Sequence, residues 1–497
     1  MTSMNETITA RPATSAAPAT KRAVGVWLMA AAAFGVEMAV SGRYGYHRDE
    51  LYFLAAGQHP AAGYVDQPPL TPLLARADAL LFGNTLVGLR VLPALCLLAL
   101  VLLAAAMAKT LGAGHRGQLL AALATACCAE YLGAMHLVTT TAPDFVCWAA
   151  TLLLVAKLLV SGDRRWWVAI GGCAGAGMEA KWNIGFLMAG LLAGFAATPA
   201  ARPLLRSRYL IIGASLFVLL ALPAIVWQSL HGWPNAPVFR HLQQDAGHNR
   251  LMYWPSQILF TSIALVPLWV RGLVWALRDA KFRAVGIAAV FVLVAQFVLG
   301  GKAYYPGGIF TFCFAAGAAA LDARPLRWRP AVFLAAGAIS SLIALPVLPA
   351  AVLARVPLQK INYDLAEQIS WPSQVRLLAR TYDSLPSSER VVATVITGNY
   401  GEAGAIDRYG PGLGLPQAYS GANNFWLWGP PPSSDTVAVA INVDPALLHR
   451  EFAHVRQVAV FSNGLGVDDD EQGAVIYVCT GLRGSWATDW AAFRHYS

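Results

Sequence analysis

The chain has 497 residues, of which 57% are hydrophobic and 13% are charged. Soluble domains carry about 25% charged residues, so this composition excludes an ordinary soluble enzyme. It also excludes a disordered chain, because disordered chains are poor in apolar residues. The remaining class is a membrane protein with many transmembrane helices.

The net charge of +9 is unevenly distributed along the chain. Residues 1–353 contain 26 Lys and Arg against 13 Asp and Glu, a net of +13, and residues 354–497 contain 10 against 14, a net of −4. The basic residues lie in short clusters between apolar runs, which is typical of membrane topology and not of a nucleic-acid-binding face. No nucleic acid partner is therefore expected.

Apolar runs divide the first 353 residues into candidate spans. Residues 1–22 are rich in Ala, Thr and Pro and predict a disordered cytoplasmic tail, and residues 23–41 predict an uncleaved first span. Further spans are predicted at 85–108, 118–138, 143–160, 166–180, 184–198, 209–228, 257–277, 284–301, 304–321 and 331–353. Residues 23–353 thus predict a polytopic α-helical membrane domain with about eleven transmembrane helices.

The distribution of Lys and Arg sets the predicted orientation. With eleven spans and a cytoplasmic N-terminus, the cytoplasmic segments contain 16 Lys and Arg and the outer segments contain 7, as the positive-inside rule requires. Merging the short fifth and sixth spans would place basic clusters outside, against this rule. Two long loops, 42–84 and 229–256, and the tail 354–497 are therefore expected on the extracytoplasmic side.

The tail has the pattern of a small α/β domain. Residues 390–397, 435–442, 456–462 and 474–480 are β-branched runs bounded by turn residues, which predicts four strands. Residues 365–385 and 445–453 have helical spacing. The predicted fold class is a membrane helix bundle followed by an extracytoplasmic α/β domain.

The first outer loop contains an acidic pair directly after the first span. Asp49 and Glu50 begin an amphipathic stretch, residues 51–54, that is expected to lie in the membrane interface and so to hold both acids at headgroup depth. Further along, Pro68 and Pro69 forbid helix and fix the turn that carries Asp66 and Gln67. The alternative is a solvated loop whose acids only cap a helix.

Two other outer turns place polar residues in the same layer. Asp144 follows the turn 139–143 at the start of a span, where an acid can either cap the helix or join a site. Lys302, Tyr304 and Tyr305 lie at the outer mouth of another span. The tyrosines are typical interface anchors, but a Lys on the outer side opposes the prevailing charge bias.

These motifs together resemble the polyprenyl-phosphate-dependent glycosyltransferases of the GT-C type. The chain looks most like the bacterial relatives of the protein O-mannosyltransferases and the aminoarabinose lipid A transferase. The resemblance covers residues 24 to about 310 and rests on motifs that follow in order at matching span positions, namely 48–51, 64–70, 141–144, 179–182 and 302–306. Residues 398–405 and 423–429 resemble the tail of one bacterial branch of that group.

The resemblance implies catalytic roles for the outer residues. Asp49 matches the family's general base, with Glu50 beside it, and removal of a proton from the attacking hydroxyl is what inverting transfer requires. A lipid phosphate leaves in that reaction, so positive charge and hydrogen-bond donors are needed where its charge develops. The candidates for this phosphate-binding role are Lys302, Arg250, Lys181, Tyr304 and Tyr305.

The resemblance also implies a divalent metal ion, Mg, Mn or Zn, because relatives often hold one between an acid of the Pro-Pro region and a loop histidine. Asp66 is the matching acid, and His248 is the matching histidine, with His241 as the weaker alternative. Gln67 stands where some relatives have Lys, which puts one phosphate contact in doubt. Asp144, Gln67, Pro68 and Pro69 are assigned to substrate binding or to structure.

Other features carry weaker hypotheses. Gly398, Gly401 and Gly404 follow a predicted strand, but their spacing is GxxGxxG and not the GxGxxG of dinucleotide sites, so a nucleotide is not expected. The aromatic run 425–428 is assigned to the core of the tail domain or to its membrane-facing edge, in preference to sugar stacking. Charges at bilayer depth cost about 2.5–3.5 kcal/mol, so the acids within apolar runs should face a cavity or one another; they are Glu37, Glu130 and Glu179.

The resemblance implies a multi-pass enzyme of the bacterial plasma (inner) membrane. It would transfer a sugar from a polyprenyl phosphate carrier to an extracytoplasmic hydroxyl of a lipid, a cell-wall glycan or a protein. The alternatives are a multi-span transporter and a non-catalytic lipid-glycan binding protein. A transporter would be expected to have matching broken helices and acids at the midplane. The two halves of the sequence show no matching broken helices, and the acids cluster on the outer side instead of near the midplane, which favours the enzyme.

Overall fold

Long apolar runs form helices up to residue 344, and the β-branched runs of the tail form a sheet. The computed structural model describes residues 19–322 and 329–496. The predicted N-terminal tail lies mostly outside this range, and the first helix begins at Ala19. Residues 19–322 and 329–344 are called the bundle below, and residues 345–496 are called the C-terminal domain.

The bundle helices occupy part of every predicted span, and helices also form inside both long loops. Their bounds are α1 Ala19–Val40, α2 Arg48–Gln58, α3 Leu70–Leu81, α4 Val91–Thr110, α5 His115–Ala126, α6 Ala129–His136, α7 Thr141–Ser161, α8 Trp166–Ala180, α9 Ile184–Ala197, α10 Arg208–Leu230, α11 Asn235–Leu242, α12 Ala246–Phe260, α13 Val266–Arg278, α14 Arg283–Leu299, α15 Phe310–Leu321 and α16 Arg329–Ala344.

Fewer helices are long and apolar enough to cross a membrane than the eleven spans that the sequence predicts. Within the described residues, three helices are long and apolar enough to cross a membrane, Leu86–Thr110, α7 and α10, or up to five if each of two bent pairs is one span. The other apolar helices are shorter, and the predicted span 331–353 ends at Ala344 because Pro346 and Pro349 follow. The count of eleven spans stays a prediction.

Two predicted spans are broken, which corrects the expectation of continuous helices. Helices α5 and α6 are bent by 57°, and the chain bends by 80° between α12 and α13. The second break lies at Ser262, which has a φ of +66°. The Ser262 hydroxyl accepts from the amide of Ala129 at 3.2 Å and donates to the carbonyl of Cys127 at 3.3 Å. The two breaks therefore meet, and the Ser262 side chain at the second break bonds backbone groups exposed at the first.

The C-terminal domain is a five-stranded mixed sheet with helices on both faces. The strands are β1 Ala393–Thr397, β2 Ala418–Ser420, β3 Val437–Ile441, β4 Phe452–Val460 and β5 Val475–Leu482, in the order β2-β1-β3-β5-β4. Strand β1 is parallel to β2 and β3, and β5 is antiparallel to β3 and β4. The helices are α17 Trp371–Asp383, α18 Tyr400–Tyr409, α19 Pro445–Glu451 and α20 Trp486–Phe493. The four predicted strands are confirmed, whereas β2, α18 and α20 were not predicted.

Helix α2 belongs to the core of the C-terminal domain, and this corrects its predicted place in the membrane interface. Leu51, Tyr52 and Phe53 are buried in one hydrophobic cluster with residues of α17, α18 and the sheet. Helix α18 approaches α2 through two glycines: a Cβ on Gly401 would lie 2.9 Å from Cβ of Arg48, and a Cβ on Gly404 would lie 2.9 Å from Cβ of Leu51. The GxxGxxG pattern thus permits close helix packing.

A buried arginine joins the bundle, the first outer loop and the C-terminal domain. Arg90 is 1% exposed, and its guanidinium pairs with the Glu50 carboxylate at 2.8 Å. It also donates to the carbonyls of Ser41 at 2.9 Å and Gly45 at 2.8 Å, and to the side-chain oxygen of Gln368 at 3.1 Å. Because buried donors must be paired, these bonds fix the end of α1 and the start of α2 against residue 368.

The buried acids of the bundle differ in how they are satisfied. Glu37 accepts from Nδ1 of His136 at 3.1 Å, and Nε2 of the same ring lies 3.1 Å from the Arg90 guanidinium. Glu37 therefore belongs to the Arg90 network. Glu130 has no such partner within the described part of the chain, since both its carboxylate oxygens are buried without a hydrogen bond.

We expect Arg90→Met to destabilise the protein by about 3–5 kcal/mol, because it leaves the Glu50 carboxylate buried and unpaired. The double variant Arg90→Met with Glu50→Leu should recover most of that loss. The measurement is thermal unfolding in detergent, with Arg76→Met as the control, because Arg76 is exposed and bonds only the carbonyl of Gly57. A single variant as stable as the wild type would contradict the central role of Arg90.

Candidate active site

Helix capping places Asp49 and Glu50 at the start of α2. His47 is the N-cap, its side chain accepts from the amide of Asp49 at 3.2 Å, and the Glu50 carboxylate accepts from the amide of His47 at 2.9 Å. This reciprocal arrangement is a capping box, which fixes the first turn. The two acids consequently point in different directions, and their environments differ.

Glu50 is enclosed by donors. Its side chain is fully buried, Oε1 accepts from Arg90 at 3.0 Å and from the amide of Val138 at 3.1 Å, and Oε2 accepts from Arg90 and from His47. A carboxylate with both oxygens occupied in this way has no lone pair left for a substrate proton. The structure therefore favours a structural role for Glu50 and leaves Asp49 as the candidate base.

Asp49 is partly exposed and is contacted from the C-terminal domain. The hydroxyl of Tyr400, the first residue of α18, donates to Oδ1 of Asp49 at 2.9 Å. The Tyr400 ring packs on Tyr52 with 4.8 Å between ring centroids. The Arg48 guanidinium lies 5.7 Å from the centroid of the Tyr400 ring and pairs with Asp470 at 2.5 Å. Tyr400 is thus a positioning residue for Asp49, contributed by a segment 351 residues away.

Asp66 lies in the loop after α2 and contacts the face of α2 that carries Asp49. The Tyr52 hydroxyl donates to Oδ1 of Asp66 at 2.9 Å. The side-chain oxygen of Asn424 lies 3.1 Å from the same hydroxyl and shares its proton. It also accepts from the amide of Val65 at 2.7 Å, which holds the turn in place. Burial raises the pKa of Asp66 to about 7, the Tyr52 hydrogen bond opposes this rise, and the charge of Asp49 adds to it.

The proline turn forms as expected. Pro68 and Pro69 are buried, and Pro69 precedes the first residue of α3. The carbonyl of Gln67 accepts from the amide of Tyr64 at 3.0 Å, and Gln67 Nε2 is buried with no hydrogen-bond partner among the described residues. Gln67 thus keeps a free donor beside Asp66.

Lys181 forms the cationic side of the site, directly after the last residue of α8. Its ammonium lies 4.7 Å from the ring centroids of both Tyr304 and Tyr305 and donates to the Thr141 hydroxyl at 3.3 Å. Burial lowers its pKa to about 8, against the charges of Asp144 and Asp49, which raise it. Lys181 is therefore a buried cation that packs between a hydroxyl and two aromatic rings.

The loop after α14 is fixed by amide side chains. Asn183 donates to the carbonyl of Tyr305 at 2.5 Å and accepts from Gln296 at 2.8 Å. Lys302 is exposed on this loop, and its charge contributes to the lowered pKa of Lys181. Two of the predicted cations, Lys181 and Lys302, are thus brought together with both predicted tyrosines.

Asp144 is fully buried in the first turn of α7. Its Oδ1 accepts from the indole of Trp148 at 2.9 Å, and its Oδ2 has no hydrogen-bond partner within the described ranges. Its charge acts on Lys181. The residue therefore combines a structural bond with a free oxygen near the cationic group, and both alternatives raised from the sequence stay open.

Arg250 and His248 lie on α12, away from these contacts. Both are exposed, and the Arg250 guanidinium donates to the carbonyl of Val298 at 2.9 Å, so it fastens α12 to the end of α14. Neither residue contacts Asp66, Asp49 or Lys181 in the described part of the chain. The structure gives Arg250 a bracing contact, and its phosphate contact stays a prediction.

The described residues do not form a metal site by themselves. In residues 19–322 and 329–496, no three His, Cys, Asp or Glu side chains gather closely enough to hold an ion. Asp66 is bonded to Tyr52, and His248 and His241 are exposed on α12 and α11. The predicted divalent ion does not fit a ready ligand set here, and no step is derived from it.

Comparison with known proteins was made on sequence and on fold. Residues 66–227 match the family model described as dolichyl-phosphate-mannose-protein mannosyltransferase. The fold is similar to the crystal structure of ArnT from Cupriavidus metallidurans bound to undecaprenyl phosphate, with a TM-score of 0.61, 16% identity, and coverage of 93% of this chain and 98% of that chain. The apo state of ArnT gives a TM-score of 0.59 at 14% identity with the same coverage. No curated protein sequence matches.

These findings confirm the resemblance to GT-C glycosyltransferases that the sequence motifs indicated. The matched range includes Asp66, Asp144 and Lys181. The identity to ArnT is low, so that likeness establishes the fold, and the roles of individual residues rest on the geometry described above.

We expect Tyr400→Phe to lower kcat about tenfold or more while the donor KM stays within twofold, because the variant keeps the ring packing but removes the hydrogen bond that orients Asp49. The measurement is steady-state sugar transfer by the purified protein. Tyr409→Phe, on the same helix but packed against Tyr46, is the matched control. Equal kcat values for the two variants would remove the positioning role of Tyr400.

Proposed function

We propose that the chain is a membrane glycosyltransferase that transfers a sugar from a polyprenyl phosphate carrier to an extracytoplasmic hydroxyl, with inversion at the anomeric carbon. The observation that carries the proposal is a partly exposed carboxylate, Asp49, that accepts from the Tyr400 hydroxyl at 2.9 Å, together with a buried ammonium, Lys181, that lies 4.7 Å from two tyrosine rings. One carboxylate can take a proton there while cationic groups hold a phosphate. ArnT, which shares the fold, was solved with undecaprenyl phosphate bound.

The proposed reaction assigns one role to each side of the site. The acceptor hydroxyl oxygen attacks the anomeric carbon, and its proton passes to the Asp49 carboxylate. The bond between the anomeric carbon and the phosphate oxygen breaks, and the polyprenyl phosphate leaves with that electron pair. Lys181 and Lys302 offset the charge that develops on the phosphate, and the hydroxyls of Tyr304 and Tyr305 donate hydrogen bonds.

The proposed location is the bacterial plasma membrane, with a cytoplasmic N-terminus and an extracytoplasmic C-terminal domain. The acceptor is a lipid, a cell-wall glycan or a protein. A divalent metal ion would need ligands beyond those gathered here, such as the oxygens of the donor phosphate.

A transporter is the second candidate, because the two broken helices meet inside the bundle, and unwound helix segments are typical of transporter binding sites. Sealed vesicles distinguish the two. Accumulation of a solute that is unaffected by lipid-linked sugars would favour the transporter, and a glycosylated product would favour the enzyme.

We expect Asp49→Asn to lower transfer by a factor of about 10² to 10⁴, because the amide cannot take the proton. The measurement is mass spectrometry of extracytoplasmic glycans and glycolipids in cells that lack the gene and express either the wild type or a variant. Asp245→Asn is the matched control, because Asp245 is an exposed acid of the other outer loop.

The same variant should keep carrier binding, measured as the thermal shift that undecaprenyl phosphate causes in the purified protein. Glycans that persist unchanged with Asp49→Asn at normal protein levels would refute the base assignment. Loss of the glycans with both variants would point to a folding defect, which the thermal shift would reveal.

We expect donor binding to weaken as the pH rises above about 8, because burial lowers the pKa of Lys181 to about 8 and the neutral amine no longer attracts the phosphate. Lys181→Arg stays charged throughout this range, so its donor KM should remain flat up to about pH 9.5. The measurement is the donor KM between pH 6.5 and 9.5. The same alkaline loss in both proteins would show that another group is responsible.

A further inference from the structure

Glu130 is a buried acid that the proposed mechanism does not use. It is 8% exposed, and neither carboxylate oxygen has a hydrogen-bond partner among the described residues. Buried polar groups are nearly always hydrogen-bonded, and an unpaired one costs about 1–3 kcal/mol or more when charged. A group kept in this state is a candidate for binding something that supplies the missing donors.

The surrounding protein does not supply those donors. Glu130 lies in the first turn of α6, directly after the break that separates it from α5. The backbone groups at this break are already satisfied by Ser262, which bonds Ala129 and Cys127. The two oxygens of Glu130 are therefore left without a donor from the described part of the chain.

The same carboxylate borders the candidate active site. A Cβ placed on Gly307 would overlap Oε1 of Glu130 and the ring of Phe145, so the acid abuts the end of the loop that carries Tyr304 and Tyr305. Glu130 also interacts electrostatically with Lys181. The two free oxygens therefore belong to the layer in which the donor phosphate is expected.

We propose that Glu130 binds the sugar of the lipid-linked donor, each carboxylate oxygen accepting a hydrogen bond from a ring hydroxyl. This inference rests on the proposed function and deepens it, because it makes Glu130 a donor-specificity residue distinct from the phosphate contacts.

Other ligands fit less well. A phosphate offers only acceptor oxygens at neutral pH and is matched by the cations and tyrosine hydroxyls of the site, and the apolar polyprenyl chain has no donors. Neighbouring hydroxyls of a sugar match a carboxylate that has two free oxygens.

The test compares binding of undecaprenyl phosphate alone with undecaprenyl phosphate that carries a hexose or a pentose, using the full-length protein in nanodiscs. We expect the wild type to bind a glycosylated carrier at least tenfold more tightly than the bare carrier. Glu130→Ala and Glu130→Gln should lose most of that preference and keep their affinity for the bare carrier. Glu179→Gln, a partly exposed acid of α8, should behave as the wild type.

Thermal stability separates this role from a structural one. Removing an unpaired buried carboxyl group should leave the Tm unchanged or raise it, so a variant that is at least as stable but has lost the sugar preference supports the proposal. A fall in Tm with loss of bare-carrier binding would make Glu130 structural and overturn it. An unchanged sugar preference in Glu130→Ala would also overturn it, while carrier binding would still support the enzyme. A wild type that binds neither lipid would refute the proposed function itself.

Discussion

The buried ion pair between Arg90 and Glu50 is the constraint on which the site depends. Its guanidinium is bonded to the end of α1, to the loop before α2 and to Gln368, so the bundle and the C-terminal domain meet at one fully desolvated cation. Such a pair contributes little net stability, but it penalises every arrangement that separates its members. It thereby fixes the direction of α2. The position of Asp49, the residue directly before Glu50, is fixed with it.

Three local features assemble the candidate site: a helix cap, a close helix contact and a buried cation. Helix capping by His47 separates the environments of Asp49 and Glu50. Close approach through Gly401 and Gly404 then brings α18 against α2, which lets the Tyr400 hydroxyl reach Asp49. On the bundle side, burial of Lys181 against two tyrosine rings holds a cation where its hydration is weak and its attraction for a phosphate is strong.

Local patterns in the sequence were sufficient for part of each bundle span, for four strands and for the acids and cations of the loops, because periodicity and turn residues act over a few positions. The contact between Tyr400 and Asp49 spans 351 residues, and no local pattern encodes it. The break at Ser262 was missed because a positive φ there is held by tertiary hydrogen bonds and not by Gly or Pro. Signals existed for two missed features: a capping box from Asn399 to Glu402 marks α18, and a lone arginine inside an apolar run implies a buried partner for Arg90.

The burial of α2 in the core of the C-terminal domain has a consequence for biosynthesis. The segment that carries Asp49 emerges from the ribosome early, but its apolar side chains find their packing partners only after the strands and helices near the far end of the chain have been made. Until that last portion has folded, the proposed base lacks its tyrosine and its scaffold. A polypeptide that stops before Tyr400 would therefore hold Asp49 without the contacts that position it, so the candidate site is completed only late in synthesis.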